Sequence, residues 1–149
     1  MLPAPQMNTE VQLRRLVLAL FSIGLAGIGA ELLALGHFED QWQLVPFFVI
    51  SVALFGAALQ TFAASPATVR FLRVVAVVLI LTGATGIVLH YRGNLEFQLE
   101  TNPELSGWPL FERILHAKAP PALAPGAMAQ LGLLGLIYCF KHPLSRRAA

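Results

Sequence analysis

Charge is scarce in this chain. Only 12% of its 149 residues are Asp, Glu, Lys or Arg, 56% are apolar, and the mean hydropathy is +0.68. A soluble domain carries about 25% charged residues, so this chain lacks the charge to cover itself against water, and lipid is expected over much of its surface. Cysteine is nearly missing as well. Cys139 stands alone, which excludes an internal disulfide and any paired-cysteine zinc pattern and leaves a small apolar helix residue. Asn8, Asn94 and Asn102 lack Ser or Thr two residues on, so no glycosylation sequon exists. The formal charge of +2 is too small to argue for nucleic acid. Gly-x-Ser-x-Gly, Gly-x-x-x-x-Gly-Lys and His-Glu-x-x-His are all missing, which leaves an enzyme without support from any known catalytic pattern.

Long apolar runs are what the chain does have. A membrane helix needs about 20 mostly apolar residues, and four stretches qualify: 16–36, 44–64, 71–89 and 122–140. The first contains Glu31, the third contains Arg73 near its start, and the other two carry no charge. None alternates with a period of two, as a membrane β-barrel strand would. The fold class expected is an all-α membrane protein, an antiparallel bundle of four transmembrane helices forming one domain over 1–149.

The charges orient these spans. Arg14 and Arg15 precede the first, Arg70 and Arg73 lie at the second connection, and Lys141, Arg146 and Arg147 follow the fourth, so seven of the ten basic residues share one side. Seven of the eight acids, all but Glu10, fall on or toward the other. The positive-inside rule then places both termini in the cytoplasm, with a bacterial-type inner (plasma) membrane as the expected location. The run after Arg14-Arg15 imitates a signal peptide. Its continuation through Leu32, Leu33 and Leu35 favours a retained span.

The connections differ in length. The first, 37–43, holds Glu39, Asp40 and Trp42, the last placed as an interfacial anchor. The second turns at Ser65-Pro66, because proline disfavours helical geometry in the residue before it. The third, 90–121, is longer than a passive link requires. In it Leu95, Phe97 and Leu99 alternate with Glu96, Gln98 and Glu100, which predicts a short strand or an extended segment on the membrane. After Pro103, Trp108, Phe111, Ile114 and Leu115 recur at helical spacing, with Glu112, Arg113 and Lys118 elsewhere on the surface. They predict a short amphipathic helix, lying in the outer interface or capping the mouth of the bundle. Pro120-Pro121 ends it, and Pro125 falls in the first turns of the last span, where proline is tolerated. The two hairpins show no internal repeat, so an inverted-repeat transporter gains no support.

Small residues mark the expected helix contacts: Ser22, Ala26 and Ala30 along one stripe of the first span, Gly83 and Gly86 in the third, Gly132 and Gly135 in the fourth. Glu31 is costly inside a bilayer. Ser51, Thr82, Thr85 and Gln130 lie at similar depth, and together these residues predict an inward polar layer, either a structural tie or a proton, ion or headgroup site. At the outer boundary His37, Glu39, Asp40, His90, Tyr91, Arg92, Asn94 and Glu96 form a second cluster. Its imidazoles and carboxylates are of types that ligate zinc or copper, and two histidines on separate helices can ligate a haem iron. His116 lies in the long loop and His142 flanks the cytoplasmic end.

Three functions fit this inventory. The leading one is a non-catalytic accessory, scaffold or assembly component whose outer loop meets a partner within a larger membrane complex. A redox or metal-binding protein using His37 and His90 comes second. A small transporter or lipid-headgroup binder built on the Glu31 layer is third.

Overall fold

The computed structural model describes residues 9–117 and 123–146. All secondary structure in these residues is helical: α1 (Thr9–Ala34), α2 (Gln41–Phe62), α3 (Pro66–Thr101), α4 (Gly107–Leu115), α5 (Leu123–Cys139) and a last turn, α6 (Pro143–Arg146). Three helices, α1, α2 and α3, are long and apolar enough to cross a membrane. The fourth apolar helix, α5, is shorter, with 17 residues. Lys118, Pro120-Pro121, Arg147 and the start of the fourth expected span lie outside the described residues.

Along their apolar runs α1, α2, α3 and α5 are apolar on every side, which in a folded protein means burial or lipid. On α1 one stripe (Phe21, Leu25, Ile28 and Leu32) is buried, yet Ile23 on the opposite side is 69% exposed. Phe48 and Phe62 on α2 are 72% and 86% exposed. A water-soluble monomer does not display so many large apolar side chains along its whole length. Hydrocarbon is the solvent that suits them.

Packing runs around a ring. α1 lies against α2 and α5, and α3 lies against the same two helices, while the backbones of the diagonal pairs α1/α3 and α2/α5 stay apart. The core at its centre is drawn from all four helices, with Leu25, Ala53, Leu72, Leu79 and Met128 among its members. The closest interface joins α3 to α5, because its meeting surfaces lack side chains. A Cβ on Gly83 would come within 2.5 Å of the Pro125 carbonyl oxygen, and one on Gly132 within 2.6 Å of the Ala76 carbonyl oxygen. Gly86 and Gly135 meet Pro125 and Ala76 in the same way. These four glycines behave as the sequence predicted. The Ser22, Ala26 and Ala30 stripe does not: Ala26 and Ala30 are exposed, Ser22 is half-buried, and large residues make the α1 contacts instead.

The turns follow local chemistry. Asp40 caps α2, its carboxylate accepting from the Trp42 and Gln43 amides at 2.7 and 3.0 Å. Ser65 and Thr68 cap α3 reciprocally, with Pro66 in the first turn.

The long connection departs from expectation. Residues 95–99 are no strand; α3 continues unbroken to Thr101. Tyr91, Asn94, Leu95, Gln98 and Asn102 are half-buried, a helical repeat that a five-residue alternation conceals. The amphipathic helix is present as α4. It folds back along α3, burying Ile114 completely and setting Phe111 against Tyr91 with ring centroids 6.5 Å apart. It packs on α3 and on no other helix, so it does not cap the ring.

Candidate functional site

The end of the ring that carries Glu39 and Asp40 holds a cavity. Its position is set by how α1 stops. Gly36 adopts a left-handed φ of +65°, the Gly36 amide bonds to the Leu33 carbonyl and the His37 amide to the Leu32 carbonyl. This is a Schellman closure, which suits glycine because it carries no Cβ. The closure turns His37 toward α3, where its ring lies 6.0 Å from that of His90 with the planes 21° apart. Between them and the start of α5 is a cavity of about 460 Å³, lined by His37, His90, Asp40, Trp42, Asn94 and Thr82 over an apolar floor that includes Pro125 and Met128. That volume lies in the range of small-molecule sites, about 300–1,000 Å³.

The structure thus gathers four residues of the expected outer cluster: His37, Asp40, His90 and Asn94. The other four stay off the cavity wall. Glu39 and Glu96 are exposed, as is Arg92, and Tyr91 packs on Phe111. Asp40 is also committed to capping α2. Among the described residues no three His, Cys, Asp or Glu side chains assemble as a metal site.

The Glu31 layer does not form as an inward ring. Glu31, Ser51, Thr85 and Gln130 are exposed, and only Thr82, half-buried, reaches the cavity. The reason is angular. Leu32 lies in the buried stripe of α1, and its neighbour Glu31 is rotated by about 100° on a helix of 3.6 residues per turn. Glu31 also lies three residues from the end of α1, about 4.5 Å at 1.5 Å per residue, within reach of the polar boundary.

At the opposite end the basic residues do more than flank the spans. Arg14 of α1 donates through Nη1 to the Tyr138 carbonyl at 2.6 Å and through Nη2 to the carbonyls of Phe140 at 3.2 Å and Lys141 at 3.4 Å. Arg73 of α3 donates to the Cys139 carbonyl at 3.1 Å. Two guanidiniums from neighbouring helices therefore close the C-terminus of α5, satisfying its last carbonyls and opposing the negative end of its dipole. Glu10 holds Arg14 from the other side at 2.9 Å.

His142 is buried beside them, its ring 5.3 Å from that of Tyr138. Its Nδ1 accepts from the Leu144 amide at 3.3 Å, which assigns the proton of the neutral ring to Nε2. Burial lowers its pKa from the usual 6.5, the nearby Arg14 lowers it further, and Glu10 acts against both. A second cavity, about 550 Å³, opens here between α1, α2 and the α5–α6 corner. On its wall Gln60 is 6% exposed, and neither of its amide atoms has a partner. Sequence reading passed over Gln60, yet a lone amide in an otherwise apolar span was the available signal.

Comparison of the chain with protein-family models, with curated proteins and with solved structures gives no match.

Proposed function

We propose that this chain is a small integral membrane protein of a single domain, in which α5 completes an antiparallel bundle of four spans. In this reading its outer platform docks a partner as a non-catalytic accessory, scaffold or assembly component. The 17 residues of α5 extend about 26 Å, the short end of the range for a span. The end carrying Arg14, Arg73 and Lys141 faces the cytoplasm by the positive-inside rule.

One observation carries the accessory role. The 36 residues of α3 extend about 54 Å, far more than a hydrocarbon layer of about 30 Å. The overhang, with α4 folded against it, presents Phe97 at 63% and Trp108 at 71% exposure, beside the partly exposed Phe111 and Leu115. Exposed aromatics on a rigid support are the usual anchors of protein interfaces. Mild-detergent purification from the native membrane tests this. The wild type should co-elute with one stoichiometric membrane partner, and a Phe97→Ser/Trp108→Ser variant should elute without it. A wild type that runs alone, or a variant that keeps the partner, removes the reading.

The His37–His90 pair supports a second reading, a redox or metal-binding role at the outer face. Rings 6.0 Å apart on one cavity wall are close enough to contact a single ligand. An absorbance spectrum and a metal assay of the purified protein decide it. A chromophore or metal that disappears in His90→Ala supports the role, and its absence from the wild type ends it.

A further inference from the structure

Gln60 poses a problem of solvation. It sits in α2, 94% removed from solvent by the complement of its 6% exposure, with both Nε2 and Oε1 unbonded. A buried amide without partners keeps the full penalty of its lost hydration. Removing it from an apolar helix would be simple, so its presence beside a cavity points to a partner that enters there.

The wall of that cavity indicates what the partner is. Arg14 and Arg15 both line it, Arg14 with its fork directed to Glu10 and the α5 carbonyls. His142 lines it as well, its Nδ1 accepting from the Leu144 amide, so the neutral ring offers an Nε2 donor. Lowering of the His142 pKa by burial and by Arg14 keeps that ring neutral near pH 7. Arg15 supplies the positive charge, Gln60 an amide donor and His142 a ring donor. A phosphate ester, with its negative charge and several acceptor oxygens, matches this set, since charge-assisted bonds to arginine are the strongest available to it.

We propose that the cavity bounded by Arg15, Gln60 and His142 binds the phosphate of an anionic lipid headgroup. Its depth selects the lipid source. The cavity lies at the basic end, one turn below the C-terminus of α2 and level with the first turns of α1, where headgroups of the cytoplasmic leaflet meet the acyl region. The proposal rests on the reading of the chain as a membrane-spanning protein.

Native mass spectrometry of the full chain, released from nanodiscs holding equal phosphatidylglycerol and phosphatidylcholine, provides the test. The wild type should retain one phosphatidylglycerol, and thermal stability should be higher in phosphatidylglycerol than in phosphatidylcholine. Gln60→Leu should fold at least as well in phosphatidylcholine, because it removes the unbonded amide, while its phosphatidylglycerol retention falls about tenfold, equivalent to about 1.4 kcal/mol. Arg15→Gln should lose retention to a similar degree. Equal retention of both lipids, or unchanged retention in folded Gln60→Leu, overturns the site. Stabilisation by inorganic phosphate with no lipid preference overturns the lipid source. Release of the chain from membranes by alkaline carbonate would instead overturn the spanning reading itself, so the two failures are distinguishable.

Discussion

Substituting Arg14 by alanine strips donors from the Tyr138, Phe140 and Lys141 carbonyls and leaves the C-terminus of α5 without its main counter-charge. The expected loss is about 1–2 kcal/mol, measured as a drop in the thermal midpoint of the detergent-solubilised protein. Arg14→Lys should recover only part, because an ammonium cannot reproduce the fork. Nearby, His142 gives a pH dependence whose sign is fixed. Its folded pKa lies below 6.5, so the folded chain binds fewer protons than the unfolded one. Its contribution is complete above 6.5 and is lost as the pH falls through 6.5 toward the folded value. Melting curves from about pH 7.5 down to about pH 5.5 should show this decline, and His142→Asn should flatten it. At this scale the sequence was partly legible. The basic residues at this end stood out as orienting charges, but their bonds to a helix 66 or more residues away in the chain carry no local signature. Glu31 stood out for its cost, while the direction it faces depends on which stripe of α1 is buried, which depth along the helix does not fix.

Among elements, α3 and α5 depend most on missing side chains. Gly132→Val places its Cβ against the Ala76 carbonyl and the Ile80 amide, backbone that cannot step aside, so the helices must separate. A loss on the order of 3 kcal/mol is expected, read as a collapse of the monodisperse peak in size-exclusion chromatography. Gly27→Ala is the control: nothing lies within 4 Å of its added Cβ, and it should be tolerated or stabilising by up to about 1 kcal/mol. The apolar runs of α1, α2 and α3 were visible as sequence because length and composition alone define them. The overhang of α3 was not. Leu95, Phe97 and Leu99 satisfy a period of two, while the helical face that meets α4 mixes Tyr91, Asn94 and Gln98 with Leu95, so hydrophobicity does not trace it. The first decisive break is Pro103, just beyond the Asn102 cap.

For the whole molecule, orientation is the quantity to measure. Cys139 is fully buried and donates to the Val69 carbonyl at 3.6 Å, so it should stay silent to a membrane-impermeant maleimide. Single cysteines introduced at the exposed positions Glu96 and Lys141 should then label from opposite sides of sealed vesicles; labelling from one side would contradict an even number of spans. The same architecture has a mechanical consequence. No proline interrupts α3 after its first turn, and a helix without such a break bends only gently. The platform at Trp108 and the ring at His90 are therefore mounted on one stiff lever, with its fulcrum where Gly83 bears on α5. A load that tipped the far arm would move the His90 ring relative to His37 across the cavity, so the gap between the two rings is where such a tilt would register.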